Sequence, residues 1–250
     1  MTMNRKLGLL LLATAAVSTA AVAQTAPAQS SVANPALWPQ AKSQGLIDAK
    51  TEAFVTELMA KMSLEEKVGQ LIQADTSAIK PEDLRQYPLG SILAGGNSPP
   101  LSGDDRAPAA DWVRTAQEFR KVSMEARPGH VAIPVIFGID AVHGNSNVVG
   151  AVLYPHNVGL GATRDPDLIR RIGEATAQET AATGIDWAFG PTLATPQDDR
   201  WGRAYEGYSE NPEVVKSFAG AMVRGLQGEP GPGGVIQKGH VAASAKHFLG

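Results

Sequence analysis

Three groups of polar residues stand where short apolar runs end, and their types suit a polyhydroxylated ligand. Asp140 closes the run from Ile133 to Ile139 and leads into Ala141-Val142-His143-Gly144. Arg203 lies downstream of the run from Ile185 to Phe189, within Asp199-Arg200-Trp201-Gly202-Arg203-Ala204-Tyr205-Glu206. Lys246 and His247 end the run that begins at Val241, just before Phe248. A carboxylate, a guanidinium, an ammonium and an imidazole cannot stay unpaired in a dry core, because burying an isolated charge is very costly. Either they neutralise one another or they bind something polar. A hexose ring suits the second case, since each hydroxyl both donates and accepts. Asp140 can accept from two hydroxyls while Arg203, Lys246 and His247 donate to the next ones through charge-assisted bonds. Glu206, just past Arg203, is placed to hold Arg203 or Lys246 as a supporting anion.

Each residue also has a structural reading. Asp140 can serve as a loop cap, Arg200 and Arg203 as surface residues of a long loop, and Lys246 as an outward-pointing end residue. Trp201 suits either a platform for a sugar face or a brace behind its loop. His143 reads as a satisfied histidine that orients the loop after Asp140 rather than as a ligand. The shared placement at successive strand ends is what favours a site.

The elements that must position these residues follow an alternating pattern. A helical period runs from Asp48 to Lys61, with Phe54, Val55, Leu58 and Met59 at helical spacing. Ser63 and Glu66 form a capping box for a second helix, for which Leu64, Val68, Leu71 and Ile72 are expected to supply a buried stripe. Leu89 to Ala94 reads as a strand, followed by a helix from about Ala109 to Ala126. Ile133 to Ile139 reads as a strand buried on both faces, as parallel strands are. Asp165-Pro166 and Asn211-Pro212 each pair an N-cap with proline at the first helical position. The first of those helices carries Leu168, Ile169 and Ile172 and stops at Gly184; the second carries Val214, Val215, Phe218, Met222 and Leu226. Ile185 to Phe189 and Val241 to Ala245 complete four predicted strands.

Alternating strands and helices imply an α/β fold with a parallel sheet. No Gly-x-Gly-x-x-Gly turn follows the first strand, and the polar residues cluster after the strands, so a (β/α)8 TIM-type barrel is favoured over an open nucleotide-binding sheet. A complete barrel takes roughly 250 residues, so the predicted strands amount to its N-terminal half, with the closing strands expected beyond Gly250.

With a net charge of -3 and 43% hydrophobic residues, the chain gives no sign of a polyanion-seeking tract, and no nucleic-acid partner is expected. Residues 1–23 form a predicted signal peptide: Arg5 and Lys6 precede the apolar run Leu7 to Val17, and Ala21-Val22-Ala23 has the small-x-small form of a cleavage site. That run is shorter than the roughly 20 residues of a spanning helix, so no membrane association is expected after cleavage, and the mature chain is expected to be periplasmic or secreted. Residues 24–47, rich in Ala, Pro, Ser and Gln, read as a flexible lead-in to the barrel segment at 48–250. The chain has no cysteine, so an apolar core must hold the fold even in an oxidising compartment.

Several separated motifs, in order, resemble glycoside hydrolase family 3. Met62 to Gln70 resembles its entry helix, and Gly90-Ser91-Ile92-Leu93-Ala94-Gly95-Gly96 its first strand. Gly138 to Gly144, continuing through Tyr154-Pro155-His156-Asn157-Val158-Gly159-Leu160-Gly161-Ala162-Thr163, is similar to the β-glucosidase and exo-β-glucan glucohydrolase branch. So are the Arg-Trp-Gly-Arg segment at Arg200 to Arg203 and the Lys-His-Phe segment at Lys246 to Phe248. The resemblance implies that Asp140, Arg203, Lys246 and His247 bind the non-reducing terminal sugar, with Glu206, His143 and Trp201 supporting. It also implies retaining hydrolysis of terminal β-D-glucosyl residues without metal or other cofactor, by an aspartate nucleophile and a glutamate acid/base that would both lie beyond Gly250. The C-terminal remainder of the same polypeptide is therefore an expected partner. Gln197-Asp198-Asp199 departs from the Arg-Asp-Pro common before the Arg-Trp-Gly-Arg segment. The N-acetylglucosaminidase branch shares the Lys-His-Phe segment but not the Arg-Trp-Gly-Arg-x-Tyr-Glu pattern. The motifs are also compatible with a β-xylosidase of the same family or a sugar-binding pseudoenzyme.

Overall fold

The computed structural model describes residues 48–247; the expected signal peptide, the lead-in and Phe248 lie outside them. Asp48 accepts a hydrogen bond from the Thr51 backbone at 2.8 Å and so starts α1 (Ala49–Lys61). The Ser63 hydroxyl accepts from the Glu66 N–H and the Glu66 carboxylate accepts from the Ser63 N–H, so the expected capping box opens α2 (Leu64–Gly69). The stripe expected on it is not buried: Leu64, Val68, Leu71 and Ile72 are exposed. Part of the reason is length, because α2 stops at Gly69 and leaves Leu71 and Ile72 outside its period; Leu64 and Val68 lie within the helix and line an open apolar cleft.

After α2 the chain runs through β1 (Gln73–Asp75), β2 (Ser91–Ala94), β3 (Ala107–Pro108), α3 (Ala109–Ser123), β4 (Ile136–Ile139), β5 (Val148–Val149), α4 (Asn157–Ala162), α5 (Pro166–Ala181), β6 (Trp187–Ala188), α6 (Pro212–Gln227) and β7 (Ala242–Ala243). β1, β2, β4, β6 and β7 form one sheet in that order, and every neighbouring pair is parallel. The main sheet thus has five strands rather than the four expected. The unexpected one, β1, is a three-residue Gln-Ala-Asp segment with no apolar run to betray it. β3 and β5 pair separately, also in parallel.

The register sorts the side chains. Ala74, Ile92, Phe137, Ala188 and Ala243 lie on the face covered by helices, where Ile92 and Ala188 are wholly buried. Gln73, Ser91, Ile136, Trp187 and Ala242 lie on the opposite face. Ile136 is 48% exposed there while Gly138 is buried beneath Phe189, so the strand expected to be buried on both faces is fully buried on one and only partly on the other. The expected strand at Ile133 is likewise shorter, because pairing begins only at Ile136.

Asp165 and Asn211 cap α5 and α6 as the sequence requires, accepting from Leu168 N–H at 3.0 Å and Glu213 N–H at 2.9 Å. The two helices touch closely. A Cβ at Gly225 of α6 would lie 2.3 Å from the Arg170 carbonyl and 2.8 Å from the Gly173 Cα of α5. Phe218, Met222 and Leu226 of α6, Ile169 and Ile172 of α5, and Trp112 and Phe119 of α3 build the core against the sheet.

Candidate functional site

The carboxyl ends of β4, β6 and β7 and the loops after them enclose a polar cavity of about 170 Å³. Asp140 enters it one residue past β4. Lys246 enters from the chain after β7, where its backbone is fixed by a bond from Leu193 N–H to its carbonyl (2.6 Å) and one from its own N–H to the Pro191 carbonyl (3.0 Å). The two meet: Lys246 Nζ lies 3.2 Å from Asp140 Oδ1, although 106 residues separate them.

Arg203 and Glu206 close another wall. Arg203 Nε and Nη2 donate to the two oxygens of Glu206, each at 2.6 Å, a bidentate clamp. Of the two cations within the anion's expected reach, Glu206 thus holds Arg203. Its side chain is 12% exposed against 48% for Arg203, so the carboxylate is the buried partner. The hydrogen bonds from Arg203 hold the Glu206 carboxyl below the usual carboxylate range against the opposing effect of burial. Arg203 Nη2 also contacts His247 Nε2 at 3.0 Å. Burial, then the charges of Arg203 and Lys246, push the His247 imidazole below its ordinary value.

The site charges therefore largely neutralise one another, yet they still border a cavity open to a ligand. Asp140 Oδ1 faces Lys246, and both oxygens of Glu206 are engaged. Arg203 Nη1 retains donors that neither contact uses.

His143 lines the cavity as well, with Nδ1 2.8 Å from the Tyr154 carbonyl and its ring 4.4 Å, centroid to centroid, from that of His156. Sequence reasoning gave His156 no role, yet it lines the cavity, packs edge-on to Tyr205 and caps α4 through a 2.8 Å bond from Asn157 N–H to its Nδ1. Burial and the neighbouring His143 lower its pKa. Asn157, wholly buried, donates to the Glu206 carbonyl at 2.8 Å and ties α4 to the Arg203 turn. Only glycine at 161 permits this approach, since a Cβ there would meet the Tyr208 carbonyl at 1.6 Å. The one signal for these residues was the segment from Tyr154 to Thr163, which stood out as a motif but fitted no strand or helix period.

Trp201 is placed apart. It lines a separate hollow with Ala194, Thr195, Pro196, Gln197 and Asp198. Asp140, Arg203, Glu206, Lys246 and His143 are thus brought to one cavity, His247 joins them through Arg203, and Trp201 does not.

Comparison with known proteins finds several relatives. The model of the glycosyl hydrolase family 3 N terminal domain matches residues 63–250. A lysosomal beta glucosidase of Dictyostelium discoideum is 34% identical over 213 residues, covering 80% of this chain and 26% of the relative. A periplasmic beta-glucosidase of Salmonella typhimurium is 27% identical over 197 residues, covering 79% of this chain and 23% of the relative. Among solved structures, an exo-1,3/1,4-beta-glucanase from a Pseudoalteromonas species superposes with a TM-score of 0.77 at 49% identity, covering 84% of this chain and 26% of that one. The chain spans about a quarter of the length of these relatives.

Proposed function

The chain belongs to glycosyl hydrolase family 3, and on that premise we propose that it carries the sugar-gripping part of an enzyme that removes terminal β-D-glucosyl residues from the non-reducing ends of β-glucans or β-glucosides. The observation that carries this reading is the convergence of Asp140, Lys246, Arg203 and Glu206 on one cavity at the carboxyl ends of parallel strands. A ring of hydroxyls fits it: the second oxygen of Asp140 accepts, while Lys246, Arg203 Nη1 and His247 donate.

In this reading the parallel sheet is the first part of a (β/α)8 barrel, whose remaining strands pair with the free edges of β1 and β7. The nucleophilic aspartate and the acid/base glutamate belong to that remainder. The cavity itself supports the assignment, because a general acid needs a raised pKa and Glu206 is held ionised by Arg203. Retention further requires two carboxylates about 5 to 5.5 Å apart that flank the scissile bond of the held ring. The apolar leader at 1–23 supports export, as does the likeness to a periplasmic beta-glucosidase.

The test is a panel of aryl β-glycosides given to the full-length polypeptide, namely glucoside, xyloside and N-acetylglucosaminide, with the product anomer followed by NMR. Preferred cleavage of the glucoside with release of the β-anomer is expected. Preference for the xyloside or the N-acetylglucosaminide replaces the substrate, release of the α-anomer removes the retaining mechanism, and binding without turnover leaves a sugar-binding pseudoenzyme.

A further inference from the structure

We infer that the Glu206–Arg203 clamp fixes His247 as a neutral imidazole with its proton on Nδ1, and that this is the only state of the ring in which the cavity accepts a sugar. The first half stands on geometry alone; the second rests on the sugar reading given above.

A guanidinium is a donor at every nitrogen and has no acceptor. Arg203 Nη2 lies 3.0 Å from His247 Nε2, so Nε2 must present its lone pair, and a neutral ring must then carry its hydrogen on Nδ1. The arrangement has little freedom to reverse. One Nη2 hydrogen is committed to Glu206 Oε2, and the Nε hydrogen to Glu206 Oε1, so the guanidinium plane is set by the buried carboxylate. The remaining Nη2 hydrogen then points where His247 accepts it. Glu206 thereby acts as a positioning residue for a ring it does not touch through any hydrogen bond among the described residues.

Protonation undoes the arrangement. A proton on Nε2 would set N–H against N–H and add a charge beside Arg203, so either the ring turns away or the guanidinium leaves its clamp. The charged groups facing His247 are Arg203, its neighbour Lys246, Glu206 and Asp140. Each anion already has a cation against it, Arg203 at Glu206 and Lys246 at Asp140, so the pull of the two carboxylates on a new imidazolium is offset by the two cations beside them. A ligand that binds only the neutral ring then loses affinity in proportion to the fraction of that ring remaining, about tenfold per pH unit below the transition.

The experiment uses the full-length polypeptide with 15N-labelled histidine. Long-range proton–nitrogen correlation identifies the protonated nitrogen of each ring, and the His247 signals are assigned by their loss in His247→Asn. Near pH 7 the wild type should show Nδ1 protonated and Nε2 bare, whereas Glu206→Gln should show the averaged shifts of a mixed tautomer. A proton on Nε2 or on both nitrogens in the wild type overturns the inference without recourse to any variant, as does an unchanged tautomer in Glu206→Gln. Calorimetry with D-glucose from about pH 7.5 to about pH 4.5 then tests the second half. The wild-type affinity should fall below the His247 transition, while His247→Asn, whose amide N–H stands in for Nδ1–H without titrating, should not follow that fall. Parallel profiles contradict the gating of the sugar. Absence of glucose binding at every pH, with the tautomer as stated, overturns the sugar reading and leaves the lock standing.

Discussion

Glu206 contributes its charge to the fold only while it is ionised. Its folded pKa lies below the unfolded carboxyl value of about 4.3, so this stability is fully present above that value and is lost as the pH falls through the folded one. The urea midpoint of the full-length polypeptide should therefore drop more steeply between about pH 5 and about pH 3 in the wild type than in Glu206→Gln. Equal slopes would mean that Arg203 does not hold the carboxylate. That Asp140 and Lys246 share a cavity was legible because each directly follows an apolar run, whereas Arg203 lies well downstream of its run and stood out only with the Arg-Trp-Gly-Arg segment. Their pairing was not legible, since which anion meets which cation depends on loop paths that no period encodes. His156 and Asn157 escaped for a related reason: one caps and the other begins a six-residue helix too short to show a hydrophobic stripe.

Elements with strong end signals appeared where the sequence placed them. The Asp165-Pro166 and Asn211-Pro212 caps open α5 and α6, and the Ser63 and Glu66 capping box opens α2. Strands were read too long, because apolar runs continue past the two to four residues that actually pair. Glu66 does more than cap. One of its oxygens accepts from Val131 N–H at 2.7 Å and from His130 Nδ1 at 2.9 Å, and His130 Nε2 reaches the Ser123 carbonyl at 3.1 Å. Together these bonds tie the start of α2 to the end of α3. Replacing Glu66 by Ala removes a buried acceptor shared by the Ser63 and Val131 N–H groups and the His130 ring, and should cost about 2 to 4 kcal/mol, read from urea unfolding of the full-length polypeptide. Gly225→Val forces α5 and α6 apart and should cost about 1 to 3 kcal/mol by the same measurement.

At the scale of the molecule, α2 and the edge strand β1 present an apolar cleft lined by Leu64, Val68, Ile72, Ala74 and Ile79. Leu64, Val68 and Ile72 belong to the stripe that the sequence expects to be buried and are exposed instead: a period announces a buried stripe without saying which part of a polypeptide buries it. If the remaining barrel strands and helices pack there, the double substitution Leu64→Ser with Val68→Ser should lower the Tm of the full-length polypeptide by several degrees. The same change should make residues 1–250, expressed alone, less prone to aggregate. An unchanged Tm would place the cover elsewhere.

The most direct measurement is kcat/KM of the full-length polypeptide on an aryl β-D-glucoside, for the wild type against Asp140→Ala. Loss of Asp140 removes an acceptor for sugar hydroxyls and strands Lys246, so a fall of at least about a hundredfold, close to 3 kcal/mol of transition-state stabilisation, is expected. Near-normal kcat/KM in that variant would contradict the claim that this cavity holds the sugar.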